Sequence, residues 1–171
     1  MKLTTKILTL SSLCAYALTP ALGKDDDHKD HDHDGHEKII AGPNGGRVLT
    51  SVEPHLEFLV NDDRTITVTA LNDDNKAAKI GAQTVKVIAG ERRSPTKLTF
   101  SVKDGKLVSS GKLPAGNDFP VVVQIKEKEG AKTVNAKFNL NLLDCPGCDY
   151  KEYACTCDHG GGDDHKDHDH E

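Results

Sequence analysis

Eight of the nine histidines in this sequence stand in two short runs, four in each. His28, His31, His33 and His36 lie near the start, and His159, His165, His168 and His170 lie at the end. The octamer DDHKDHDH occurs unchanged in both runs, at 26–33 and 163–170, which points to selection for the same chemistry at both ends. Each copy spaces its imidazoles as H-x-x-H-x-H. Neutral imidazole is a borderline ligand that suits Zn, Cu(II) and Ni. The aspartates between lower the electrostatic cost of bringing in a dication, and can orient a ligating ring through its second nitrogen. These eight histidines are therefore candidate ligands for a transition-metal ion (Zn, Cu or Ni). Modest affinity is expected, because such an arm loses conformational entropy when it wraps an ion. Two other readings stand beside this one. The runs could be solubilising acidic tails in which His is incidental. They could also be pH-sensitive, since His titrates near neutrality and protonation would release a metal.

The second group is Cys145, Cys148, Cys155 and Cys157, spaced C-x2-C-x6-C-x-C. Four thiolates at close range make a tetrahedral site for Zn or Cu(I). The first pair has zinc-ribbon spacing, and the C-x-C pair is common in soft-metal thiolate clusters. Two disulfides are the alternative if the chain is exported, with crossed pairs between the halves favoured because bridging Cys155 to Cys157 would be strained. A redox role for C-P-G-C would need a strand leading into a helix, a context this chain lacks.

The third group is Glu53-Pro54-His55-Leu56-Glu57-Phe58. On a strand, Leu56, Phe58 and Val60 face the core, so that His55 and Glu57 share the outer face two residues apart. That would be half of a metal site, or an ordinary exposed pair.

Nothing in the sequence supports catalysis. Gly42-Pro43-Asn44-Gly45-Gly46 is a turn-rich lead-in to a strand, with no Gly-Lys-Ser/Thr after it to make a phosphate loop. The carboxylates sit in turns and tails with nothing apolar to raise a pKa. The expectation is a non-enzymatic protein. Nucleic acid is an unsuitable partner, since aromatics are 4% of the 171 residues and the formal net charge is -5.

Positioning these groups falls to a β domain. Ile66, Val68 and Ala70 alternate with threonines; so do Leu98, Phe100 and Val102 with Thr99 and Ser101; Val121, Val123 and Ile125 alternate, as do Val134, Ala136, Phe138 and Leu140, and Val85 with Val87. Such alternation predicts half-buried antiparallel strands. Asp104-Gly105 between two such runs is a hairpin signature. Seven or eight short strands without a helical period predict a small immunoglobulin-like antiparallel β-sandwich, with a small open barrel as the alternative. Its core would be aliphatic, with Phe58, Phe100, Phe119 and Phe138.

Around this domain the chain divides by composition. Residues 1–23 read as a secretory signal peptide: Lys2 and Lys6, an apolar stretch from Ile7 to Leu18, and a small-residue cleavage site after Gly23. A disordered His/Asp-rich arm is expected at 24–38, the sandwich at 39–143, the cysteine cluster at 144–157 and a second disordered His/Asp-rich tail at 158–171. The arm has three basic and seven acidic residues, the domain fifteen and eleven, and the stretch from 144 onward two and nine. A mildly basic domain thus stands between acidic segments. The signal implies a periplasmic or secreted protein with no membrane insertion after cleavage.

Ala41-Gly42-Pro43-Asn44-Gly45-Gly46-Arg47-Val48, followed by His55-Leu56-Glu57-Phe58, resembles the G-G-x-V…H-x-E segment of exported bacterial proteins linked to periplasmic heavy-metal efflux. These include extensions of the adaptor (membrane-fusion) subunits of cation efflux pumps, and small exported proteins. The resemblance covers 41–60. It implies a metal-handling periplasmic setting, with metal ions and an efflux component as partners. The functional expectation is a transition-metal-binding or metal-buffering protein. The alternative is a non-enzymatic interaction module with solubilising acidic tails and a disulfide-stabilised C-terminus.

Overall fold

The computed structural model describes residues 38–157. Nine strands carry the fold: β1 (Arg47–Leu49), β2 (Leu56–Val60), β3 (Ile66–Leu71), β4 (Ala77–Ala78), β5 (Thr84–Ala89), β6 (Thr96–Lys103), β7 (Lys106–Ser109), β8 (Asp118–Lys126) and β9 (Val134–Asn141). A single 3-10 turn, η1 (Glu152–Ala154), follows them. All strand pairs are antiparallel, in the order β1-β2-β3-β7-β6-β5-β8-β9, with the short β4 on β3. Among the described residues no helix is long and apolar enough to cross a membrane.

The two layers share β6. Its first half pairs with β5, from Thr96 with Ala89 to Thr99 with Lys86. Its second half pairs with β7, from Phe100 with Ser109 to Lys103 with Lys106. Strand β6 thereby carries the chain from one sheet into the other, which gives a barrel-like sandwich and leaves β1 and β9 as the outermost strands. The Asp104-Gly105 turn that returns β6 into β7 has both residues at positive φ, 51° and 77°, the twist a two-residue hairpin needs.

The core follows from the alternation. Ile66, Val68, Ala70, Val85, Val87, Val121, Val123, Ile125 and Leu140 are buried between the layers. Phe58 and Phe119 are buried with them, whereas Phe100 and Phe138 are half-buried at its margin. Val102, which alternation alone would place inside, is 63% exposed. It lies beyond the point where β6 changes sheets, two residues before the Asp104-Gly105 turn, although its cross-strand partner Leu107 is buried.

The cysteine segment is part of this core rather than an appendage after it. Tyr153 and Ala154 of η1 are buried in the main cluster, and Tyr150 packs against it. The turn η1 contacts both β1 and β9, so the segment sits across the seam between the two outermost strands.

Candidate metal centre

After β9 the chain doubles back on itself. The N–H of Cys145 donates to the carbonyl of Tyr150 at 2.9 Å, and the N–H of Glu152 to that of Leu143 at 2.9 Å. Asp144 and Lys151 form an antiparallel bridge between these bonds, joined by a 2.6 Å ion pair. The ladder closes a tight loop that presents Cys145 and Cys148. Then η1 reverses the chain, with the N–H of Ala154 on Lys151 O at 2.9 Å and that of Cys155 on Glu152 O at 3.2 Å. This reversal returns Cys155 and Cys157 to the loop.

The result is a group of four sulfurs that all lie within 4.8 Å of one another, a group that could hold a metal ion. Cys155 Sγ is 3.2 Å from Cys145 Sγ and 3.5 Å from Cys148 Sγ. A tetrahedral thiolate site with metal–sulfur bonds of about 2.3 Å has sulfur–sulfur edges of about 3.8 Å. These two separations lie a few tenths of an ångström below that value, and no pair lies more than about an ångström above it. The four cysteines are unbridged in the structure. Among the described residues these four form the one group of His, Cys, Asp or Glu so assembled.

The four cysteines are not equally buried. Cys145 is 5% exposed and Cys155 4%, while Cys148 and Cys157 are half-buried. Backbone donors point at the buried pair: Gly147 N–H at Cys145 Sγ (3.4 Å) and Cys157 N–H at Cys155 Sγ (3.2 Å). Such donors favour the thiolate. The Cys148 thiol is held below its ordinary range, chiefly by the backbone of Tyr150. Burial, above all, pushes the Cys155 thiol well up. Cys157 is drawn down by its contact with Cys155, but the Cys148 sulfur and burial outweigh this and raise it. An ion would supply the positive charge that lets the buried sulfurs ionise.

Aromatic packing anchors the group. The Tyr153 ring meets Phe58 edge-on with centroids 6.3 Å apart, and Phe58 meets Phe138 edge-on at 5.6 Å. The Arg47 guanidinium lies 4.7 Å above the Phe138 ring. Neither Tyr150 nor Tyr153 stands out in the sequence, because the segment has no strand alternation to assign them to a core.

Glu57 is not on a solvent face with His55. It is fully buried, and its carboxylate accepts from Asn44 N–H (2.8 Å), Asn44 Nδ2 (2.6 Å) and Gly46 N–H (3.0 Å). Strand alternation does turn it away from the main core, but the 42–46 turn folds over it. Gly42 permits this, since an added Cβ would overlap the carboxylate. Glu57 is therefore a clamp on the turn, and both its oxygens are engaged. His55 stays half-exposed, with Nε2 3.3 Å from Glu53 Oε1. The histidines of the two arms, His28, His31, His33, His36, His159, His165, His168 and His170, lie outside the described residues.

No family model, curated protein or solved structure matches the chain. Its function has to be argued from the chemistry of the cysteine group and the sequence around it.

Proposed function

We propose that this is an exported, non-enzymatic protein that binds and buffers transition-metal ions, linked to heavy-metal efflux or homeostasis. The supporting observation is the mutual approach of four sulfurs to within 4.8 Å on a segment fastened to the domain core. Thiolate donors in a tetrahedral set select Zn or Cu(I) over hard cations. The His/Asp arms add borderline ligands of lower affinity, which suit Zn, Cu(II) or Ni. Export fits a chain whose first 23 residues read as a signal peptide.

The test is metal analysis and thiol counting on protein purified without an affinity tag. One tightly held ion per chain is expected, lost when all four cysteines become serine. Further, weaker ions should disappear when both arms are removed. A metal-free protein with no titratable thiols would overturn the reading in favour of disulfides.

A second reading, an interaction module, has one observation of its own. The outer face of β5, β6, β8 and β9 carries Lys86, Lys97, Lys126 and Lys137, set among Thr84, Thr99, Gln124 and Asn135 in cross-strand register. The nearest carboxylate in that register is Asp118, at one end and bonded to Asn139. Binding of an acidic partner that salt weakens and chelator leaves unchanged would favour this reading.

A further inference from the structure

We propose that the cysteine centre is a transfer site. Its Cys148–Cys157 edge would be where the ion enters and leaves, exchanged with a thiol-bearing acceptor. This rests on the metal-binding reading above and says how that site would work.

The four sulfurs are not equivalent. Cys145 and Cys155 are sealed on the inner side, 5% and 4% exposed. Cys145 is fixed by the Tyr150 bond that begins the loop, and Cys155 by the η1 bond to Glu152. Cys155 also directly follows Ala154, which belongs to the main core. Cys148 and Cys157 form the opposite side and are half-buried. Cys148 lies at the far end of the loop, and Cys157 lies beyond η1, two residues past the buried Cys155. An ion held by all four would therefore have two anchored ligands and two that a second molecule can approach.

With all four positions filled by protein sulfur, an incoming ligand has to displace one of them, and the partly accessible pair is where it can reach the ion. An open edge permits stepwise exchange. An incoming thiol binds the ion and gives its proton to the sulfur it displaces, Cys157. One metal–sulfur bond forms, one breaks, and neither charge nor oxidation state changes. A second thiol of the acceptor then displaces Cys148. The ion is left between the acceptor and the anchored pair, and the remaining two exchanges complete the transfer. Run backwards, the same steps load the site.

The mechanism has a kinetic signature. Attack at an exposed edge is bimolecular, so the transfer rate should rise in proportion to acceptor concentration. Escape from a sealed site waits for the site to open, so its rate should be independent of acceptor. The experiment uses the full chain loaded with one Cd2+ and a small dithiol, dithiothreitol, as acceptor, followed by the ultraviolet thiolate-to-cadmium absorption. A linear dependence is expected. The variants Cys157→Ser and Cys148→Ser should keep the near-ultraviolet circular dichroism of Tyr153 and still bind Cd2+, with affinity lowered about 10-fold or more, because even an outer-shell partner is worth that much. They should also release the ion faster. Cys145→Ser and Cys155→Ser should disturb the Tyr153 signal as well.

A rate that does not depend on dithiol, with Cd2+ bound through thiolates, would overturn the transfer edge and leave a structural metal site. Equal behaviour of the outer and inner serine variants would also overturn it. Absence of any thiolate–cadmium absorption would instead reject the metal-binding reading itself.

Discussion

The hydroxyl oxygen of Tyr153 accepts a hydrogen bond from the backbone N–H of Val60 at 3.1 Å, across 93 residues of chain. The bond ties the cysteine segment to the end of β2. Tyr153 itself is only 2% exposed, and burial raises its phenol above the ordinary range, so it remains a neutral partner.

Tyr153→Phe should cost about 1 kcal/mol, because the Val60 N–H loses its acceptor while the ring packing survives. Tyr153→Ala should cost about 3–5 kcal/mol, the range for removing a buried aromatic. Denaturant unfolding measures both. Metal affinity should fall with Tyr153→Ala far more than with Tyr153→Phe, since only the former removes the support beneath Cys155.

Glu57→Gln keeps the shape of the clamp but leaves fewer acceptors for Asn44 and Gly46. A loss of about 1–3 kcal/mol is expected, the cost of stranding a buried donor. Metal stoichiometry should not change, because Glu57 serves the turn. A drop in bound metal at equal folding would show that the carboxylate is a ligand after all.

Gly147→Ala places a Cβ 3.3 Å from Cys157 Sγ and 3.9 Å from Cys145 Sγ. The Cys157 sulfur must shift by a few tenths of an ångström to accept it, while the Cys145 contact is an ordinary one. Weaker metal binding with little change in unfolding midpoint of the metal-free protein is expected, read by competition with a chromophoric chelator.

Stability should respond to pH in opposite senses with and without metal. Burial raises the Cys155 thiol in the folded chain, so the folded state holds that proton more tightly than the unfolded state. Its contribution is fully present below the unfolded thiol pKa of about 8.5 and is lost as pH climbs toward the higher folded value. Metal-free protein should therefore weaken above about pH 8.5. Loaded protein should instead strengthen as pH rises through neutrality, because protons compete with the ion for the sulfurs. Thermal melts across pH 6–10, with and without Zn2+, check both trends.

The strands were legible because each has one polar and one apolar face. The alternating run of Leu98, Phe100 and Val102 falls inside β6, and Ile66, Val68 and Ala70 are all buried. Alternation failed where tertiary geometry decides. Val102 reads as core but lies past the point where β6 changes sheets. Glu57 reads as exposed but is covered by a turn that starts 15 residues earlier. The two alanines of β4 are too few to show a period. The cysteine spacing made the group of four visible but not its geometry. The loop ladder and the η1 reversal, which bring the sulfurs together, depend on backbone bonds that leave no compositional trace. The tyrosines that anchor them were equally hidden.

The outermost strands β1 and β9 do not pair with each other, and the cysteine segment lies between them. An exposed strand edge is a template for a second chain, and proteins guard such edges to avoid sticking together. Here the guard is the cysteine segment, which touches both strands through η1 and is held by the buried Tyr153 and Ala154. The same packing that assembles the four sulfurs thus also shields the two strand edges, and a change that loosens it, such as Tyr153→Ala, should make the protein stick to itself.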